Sequence, residues 1–320
     1  MPAETDSSFF SLTPDRVLDA VEVGGLRCTG RCLALNSLEN RVYEVELDDG
    51  TSIVVKFYRP GRWSRETILE EHAFLAELAL AEVPAVAPID LGVGSTLPTV
   101  GEIHYAAFPK VRGRPRDELD DESVRRIGRF IGRLHGVGAA RQSAHRPRMT
   151  VDRMIREPLK VLLEGGFVSE GLASRYADVA RRIADAIEEP LSRAPAQRVH
   201  GDLHAGNLLW NADGPFFLDL DDMMVAPPAQ DLWLLAAGDS DDAVRRRDLL
   251  LEGYEVFREI DRASLRLVEP LRAMRIVYYS AWIARRWDDP SFPRAFPTFR
   301  HDGYWAREYE ELIRIADNMR

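Results

Sequence analysis

With 320 residues, 45% of them hydrophobic and 29% charged, the chain has material for a large core and excludes a disordered or collagen-like polymer. Its 42 basic and 52 acidic side chains leave a formal charge of −10, which opposes broad attraction to a nucleic-acid backbone or an anionic membrane. Cys28 and Cys32 are the only cysteines; with no second Cys/His pair at a suitable spacing they read as ordinary structural thiols, not as a disulfide scaffold or half a metal site.

The first residues are acidic and polar, without the positive region and apolar core of a secretion signal, and no run approaches the roughly 20 apolar residues that span a bilayer. A cytoplasmic protein is expected. "SLTPDRVLDAVEVGG" predicts a short helix capped by Thr13, with Pro14 at its first position and a Gly-Gly stop. After Arg31, Val42, Tyr43 and Val45 mark a strand-like run, Asp49-Gly50 supplies a hairpin turn and "SIVVKFY" is β-rich, so consecutive antiparallel strands are expected. "SRETILEEHAFLAELALAE" predicts a helix capped by Ser64, with Ile68, Glu71, Leu75 and Leu78 recurring at spacings of three or four. "VPAVAPI" ends that pattern, and "IHYAAFPKV" gives the next strand.

Gly113 and Pro115 mark a change from β-rich to helical signals. A boundary there separates residues 1–111, a small β-rich lobe with a leading helix, from residues 112–320, a larger and mainly helical lobe. In "DDESVRRIGRFIGRLHGVG", Val124, Ile127, Ile131 and Leu134 form an apolar face, and Gly128 and Gly132 permit close backbone approach. Further helices are expected from Ser169 to Glu189 and in "AQDLWLLAAG", "AVRRRDLLLEGYEVFREI" and "SLRLVEPLRAMRIVYYSAWIARRW". The prolines of "WDDPSFPRAFPTFRHDGYW" forbid one continuous helix and predict an aromatic loop packed on the larger lobe. The class is α+β.

The chemistry concentrates in "HGDLHAGNLLW" and "FLDLDD". Asp202 and Asn207 are five positions apart, which a strand of period two cannot place on one face, so a turned loop is required. Such a loop directs a carboxylate toward an acceptor hydroxyl and an amide oxygen toward a hard cation. Asp219 ends an apolar run twelve residues beyond Asn207, and a short hairpin would return it to the same edge. That set suits phosphoryl transfer. Lys56, on a strand, supplies charge for nucleotide phosphates, and Glu71 is its preferred partner because Glu70 faces about 100° away on the helix. Each residue alone has a plain alternative, a surface lysine, a solvated helix face or a turn; their joint order favours the site. A lone "FLDLDD" also fits a metal-dependent phosphatase, but the upstream Lys/Glu pair and the Asp202/Asn207 loop do not belong to that chemistry.

In order, "VVKFY", "LEEHAFL", "HGDLHAGN" and "FLDLDD" resemble the aminoglycoside phosphotransferase and choline-kinase-like branch of the protein-kinase-like fold. With "LNSLENRVYEV", "FPKVRGR", "DLWLL" and "EPLRAMRIVYYSAW", the resemblance runs approximately from Phe9 to Ile315 and is closer still to bacterial stress-response serine/threonine kinases. It implies a two-lobed kinase-like fold that uses ATP and Mg²⁺. Asp202 matches the catalytic aspartate, Asn207 and Asp219 the metal-binding pair, and Lys56 and Glu71 the nucleotide-organising ion pair. His200 is structural, His204 reads as polar packing, and Asp231 resembles a buried aspartate that supports the catalytic loop. "FPKVRGR" joins the lobes, with main-chain groups from Phe108 to Val111 facing adenine. The sequence departs from standard protein kinases in lacking G-x-G-x-x-G; "NSLEN", from Asn36 to Asn40, stands in its place. The implied function is a monomeric serine/threonine protein kinase with a stress-related role and a protein hydroxyl as acceptor, with no nucleic-acid or membrane partner. Phosphorylation of an aminoglycoside, choline or related small alcohol, and a catalytically silent kinase-like interaction protein, remain as alternatives.

Overall fold

The computed structural model describes Phe9 and residues 12–116, 118–238 and 240–319. Two compact units emerge: residues 1–146, 202–223 and 248–258 form one, and residues 147–201, 224–247 and 259–320 the other.

The first unit starts with helix α1 (Pro14–Val23), where the Thr13 side chain accepts from the Arg16 amide at 3.4 Å and Gly24 ends the helix. Strands β1 (Cys28–Leu35), β2 (Arg41–Leu47) and β3 (Ser52–Phe57) follow, then helix α2 (Arg65–Leu80) and strands β4 (Thr99–Val100) and β5 (Ile103–Pro109). They build an antiparallel sheet of order β1-β2-β3-β5-β4. Strand β1 carries little apolar alternation: it lies at the sheet edge, mostly exposed and with a bulge between Cys28 and Cys32, so nothing in its sequence required a hydrophobic period.

Strand periodicity sorts the sheet's two faces. Tyr43, Val45, Val55, Phe57, Tyr105 and Ala107 pack with Val17, Ala20 and Val21 of α1 in one core. Lys56, between Val55 and Phe57, is therefore sent to the opposite face, where Ala106 is its register partner on β5. Helix α2 is capped by the Ser64 hydroxyl, which accepts from the Thr67 amide at 3.2 Å. Its buried stripe includes Ile68, Glu71, Leu75 and Leu78, so a carboxylate shares the face that is otherwise apolar.

Helix α3 (Asp121–Ala140) completes this part of the unit, with Asp120 accepting from the Ser123 amide at 2.7 Å. A Cβ on Gly128 would lie 2.2 Å from the Leu250 carbonyl oxygen, and one on Gly132 would lie 2.8 Å from that of Tyr254. Both glycines are thus requirements of backbone contact.

The chain next contributes to the second unit a π turn over Asp152–Arg156, helices α4 (Glu157–Glu164) and α5 (Glu170–Arg193), and strand β6 (Gln197–Val199). Sequence patterning marked no element between residues 141 and 168, where an irregular turn and Pro158 in the first turn of α4 interrupt the helical period. Hairpin β7 (Leu208–Asn211) and β8 (Gly214–Phe217) returns to the first unit. Strand β9 (Met224–Ala226), which pairs with β6, then leads to helix α6 (Ala229–Trp233) and helix α7 (Asp241–Glu255). The chain ends with α8 (Val268–Ala284), α9 (Ser291–Ala295) and α10 (Asp302–Asn318). The segment expected as an aromatic loop contains α9 and the start of α10. Within it, Phe299 is fully buried, with Phe167, Trp287, Tyr304 and Trp305 around its ring. The β-rich sheet and the largely helical remainder make the α+β, two-lobed protein-kinase-like class. Among the described residues, no helix is long and apolar enough to cross a membrane.

Two stability predictions follow from this packing. Gly128→Ala forces a methyl against the Leu250 carbonyl and should cost about 3 kcal/mol in urea unfolding. Gly136→Ala, on the same helix with nothing within 4 Å of the new methyl, should instead stabilise by about 1 kcal/mol. The second concerns Glu308 on α10, whose carboxyl burial pushes up to about 7. A carboxyl with a raised folded pKa binds a proton that the unfolded chain has already lost, so its contribution to stability falls as pH rises from about 4.5 to 7. Glu308→Gln should therefore raise the melting temperature at pH 8 relative to the parent, with an advantage of roughly 1–2 kcal/mol that disappears by pH 4.

Candidate active site

The catalytic-loop sequence adopts the turned conformation its spacing requires. Asp202 follows Gly201, whose φ of 88° demands glycine, and Ala205–Asn207 forms a single 3₁₀ turn. The Asn207 side-chain nitrogen donates to the Asp202 carbonyl at 2.9 Å. This fixes the amide orientation, with the side-chain oxygen at the opposite end of the group. The His204 Nδ1 accepts from the Gly206 amide at 3.0 Å, so its ring proton resides on Nε2, 3.6 Å from the Asp202 carboxylate. His204 thereby organises the loop as polar packing.

The two residues before Asp202 are held from below. Asp231, fully buried on α6, accepts from the His200 amide at 2.7 Å and the Gly201 amide at 2.8 Å. Gln230 donates to the Gly201 carbonyl at 2.8 Å, so three bonds define the backbone entering the catalytic loop. The buried His200 fits a structural position.

Hairpin β7-β8 returns the acidic segment. Leu208 pairs with Phe217, and the Leu218 amide donates to the Asn207 carbonyl at 3.0 Å, so Asn207 and Asp219 flank one closed hairpin. Asp219 is one of two non-glycine described residues with positive φ, at 56°. That left-handed conformation is one Asp tolerates better than most residues, at some cost in strain. The Asp219 side chain remains 54% exposed while its Oδ1 meets Lys56 Nζ at 2.9 Å.

Lys56 sits in a dense charge field. Its ammonium lies 2.9 Å from Asp219, 3.4 Å from Asp221 and 3.9 Å from Glu71, and over the Tyr58 ring at 5.0 Å. Burial alone would lower its pKa, but the three carboxylates outweigh this and hold the ammonium charged. Glu71 is its most distant carboxylate, and burial pushes that carboxyl up to about 7 against the pull of Lys56. Asp221 moves the other way: burial opposes its charge, but Arg62, Lys56 and Arg146 hold it well below the usual carboxylate range. Glu70 points elsewhere, accepting from the Ser143 hydroxyl and the amides of Ala144, His145 and Arg146.

Sequence reasoning overlooked the arginines. Arg62 spans Asp221 and Asp222 with its two terminal nitrogens, meeting Asp222 at 2.6 Å. Arg146, buried beneath the Trp63 ring, donates to the carbonyls of Asp221, Met223 and Thr67. The dipeptide Pro60-Gly61 is a turn signal that could have directed attention to the flanking Arg59 and Arg62; nothing in the sequence around Arg146 announces its partners.

Among the described residues, no three His, Cys, Asp or Glu side chains are arranged to hold a metal by themselves. The Asn207 amide oxygen and the half-exposed Asp219 carboxylate, at the two ends of the β7-β8 hairpin, are hard oxygen donors of the type Mg²⁺ takes beside water and phosphate.

A model of the phosphotransferase enzyme family matches residues 32–268. Stress response kinase A of Escherichia coli K12 is 39% identical over 310 residues, covering 97% of this chain and 94% of that protein. The serine/threonine protein kinase RdoA of Salmonella typhimurium LT2 is 40% identical over 307 residues, covering 96% and 93%. The amicoumacin kinase hAmiN, solved with AMP-PNP, Ca²⁺ and Ami, superposes with a TM-score of 0.77 at 18% identity, covering 99% of this chain and 96% of its own, a likeness of fold. The β-strand lysine, the turned Asp/Asn loop and the acidic segment after the hairpin thus occur in a chain that belongs to the phosphotransferase enzyme family, alongside the stress response kinases A.

Proposed function

We propose that this phosphotransferase transfers the γ-phosphoryl group of ATP to a serine or threonine hydroxyl of a protein, in a stress-related role. The observation that carries the chemical part is the 2.9 Å contact between Lys56 and a half-exposed Asp219, beside a catalytic loop whose Asn207 amide is fixed by Asp202. The protein acceptor is supported by the full-length relatives named as stress response and serine/threonine kinases.

In this reading residues 1–111 act as the nucleotide-binding lobe, with adenine against the main chain of Phe108 to Val111, and residues 112–320 act as the catalytic and substrate-binding lobe. Lys56 neutralises nucleotide phosphate oxygens, and Glu71 limits where its ammonium can go. Asp202 accepts the proton of the attacking hydroxyl as its oxygen bonds to phosphorus and the bond to the ADP oxygen breaks. His204 lies with its Nε2 3.6 Å from the Asp202 carboxylate. Asn207 and Asp219 would hold Mg²⁺, which supplies charge compensation on the phosphate oxygens.

Asp202→Asn should lower turnover by about a thousandfold while Mg²⁺·AMP-PNP binding remains. The test uses γ-labelled ATP, Mg²⁺ and a lysate stripped of its own kinase activity, read by mass spectrometry. Labelled Ser or Thr that depends on an intact Asp202 supports a protein kinase; label confined to small hydroxyl compounds transfers the assignment to a small-alcohol kinase. Nucleotide binding without transfer to any acceptor would mark a silent kinase-like protein.

A further inference from the structure

The segment "YRPGRW" carries a device that the proposed reaction has not absorbed. Arg59, Pro60, Gly61 and Arg62 form one β-turn: the Arg62 amide donates to the Arg59 carbonyl at 3.3 Å, and Gly61 has φ of 76°, as a turn with Pro second and Gly third requires. The two arginines are the corners of that turn and reach in different directions.

Arg59 grips the loop that replaces the glycine-rich sequence. Its Nε donates to the Glu39 carbonyl at 2.9 Å, its Nη2 to the Leu38 carbonyl at 3.1 Å, and its amide to the Asn40 side-chain oxygen at 3.1 Å. Arg62 grips the acidic turn through the fork across Asp221 and Asp222. The circuit closes through Asn40, 3% exposed, whose side-chain nitrogen donates to the same Asp221 oxygen at 3.1 Å. Glu39 adds a carboxylate 3.3 Å from Arg59 and 3.7 Å from Arg62.

We propose that Arg62 is a positioning residue, and that the Arg59-Pro60-Gly61-Arg62 turn clamps the Asn36–Asn40 loop to the acidic turn at Asp221 and Asp222, giving this chain a preset phosphate loop without glycines. A glycine-rich loop can close over phosphates because its backbone is free to rearrange. Here two main-chain carbonyls and one side chain are already committed to Arg59, so the loop shape precedes the nucleotide. Arg62 has a second effect: with Arg62 and Asn40 both on Oδ2, Asp221 presents only Oδ1 to Lys56, at 3.4 Å. A lysine does not reproduce it, because Arg62 sends a separate nitrogen to each carboxylate in the fixed geometry of a planar fork, which a single ammonium lacks.

This inference rests on the ATP-dependent reading, and the test separates the two. Amide hydrogen exchange without nucleotide, and binding of Mg²⁺·AMP-PNP by calorimetry, are measured on the full chain for the parent, Arg62→Ala, Arg62→Lys and Asn40→Ala. Expected are faster exchange across residues 37–40 in all three variants and nucleotide binding weakened by at least about tenfold in Arg62→Ala. Arg62→Lys should fail to rescue, and the loss should appear mainly in KM for ATP rather than in kcat. Unchanged exchange in a folded Arg62→Ala protein, or full rescue by lysine, overturns the clamp. Should Arg62→Ala not fold, Asn40→Ala, which leaves the fork intact, decides by the same exchange measurement. A parent protein that does not bind the nucleotide sinks the ATP reading, while exchange in the variants still tests the clamp.

Discussion

The site depends on keeping a buried lysine charged among carboxylates that have little water to dissolve them. Asp219, Asp221, Asp222, Glu39 and Glu71 face Lys56, Arg59, Arg62 and Arg146 in one compact unit. Desolvation of such groups is expensive, and an ion pair in this setting is worth keeping only where its geometry is well satisfied. Arg62 and Asn40 satisfy one oxygen of Asp221, while Asp219 stays half-exposed beside Lys56.

Two carboxylates separated by one residue have thus been given different tasks by their surroundings. Asp219 has a left-handed backbone, an open side chain and Lys56 as its partner. Asp221 is 2% exposed and is consumed by Arg62, Asn40 and Lys56. Its role is to join the lysine strand, the 36–40 loop and the acidic turn. Sequence alone could not divide "DLDD" in this way, because turn support and metal tuning place the same residue types at the same spacing.

What was legible in the sequence had a local cause. Thr13 and Ser64 announce caps within three residues of themselves, and Gly128 and Gly132 announce a close approach whose partners, Leu250 and Tyr254, only the fold supplies. The position of Lys56 on the face opposite α1 follows from strand period alone. Strand β1 was illegible because an exposed edge strand has no need of alternation, and residues 141–168 because their order comes from distant partners. Arg146 is the clearest case: it owes its place to carbonyls 75 to 79 positions away, a relation no periodicity records.

Adjacent Glu70 and Glu71 show how such distant partners fix a local geometry. They lie about 100° apart on α2, so one cannot do the other's work. Glu71 faces Lys56, while Glu70 collects a hydroxyl and three successive amides from the turn at residues 143–146. That turn delivers Arg146, which donates to Thr67 on the same helix and to the backbone of the acidic segment. Rotating α2 enough to carry Glu71 off Lys56 would therefore detach Glu70 from three amides and disturb the arginine beneath Asp221. The weak contact of 3.9 Å between Lys56 and Glu71 is held by its neighbours' bonds more than by its own attraction.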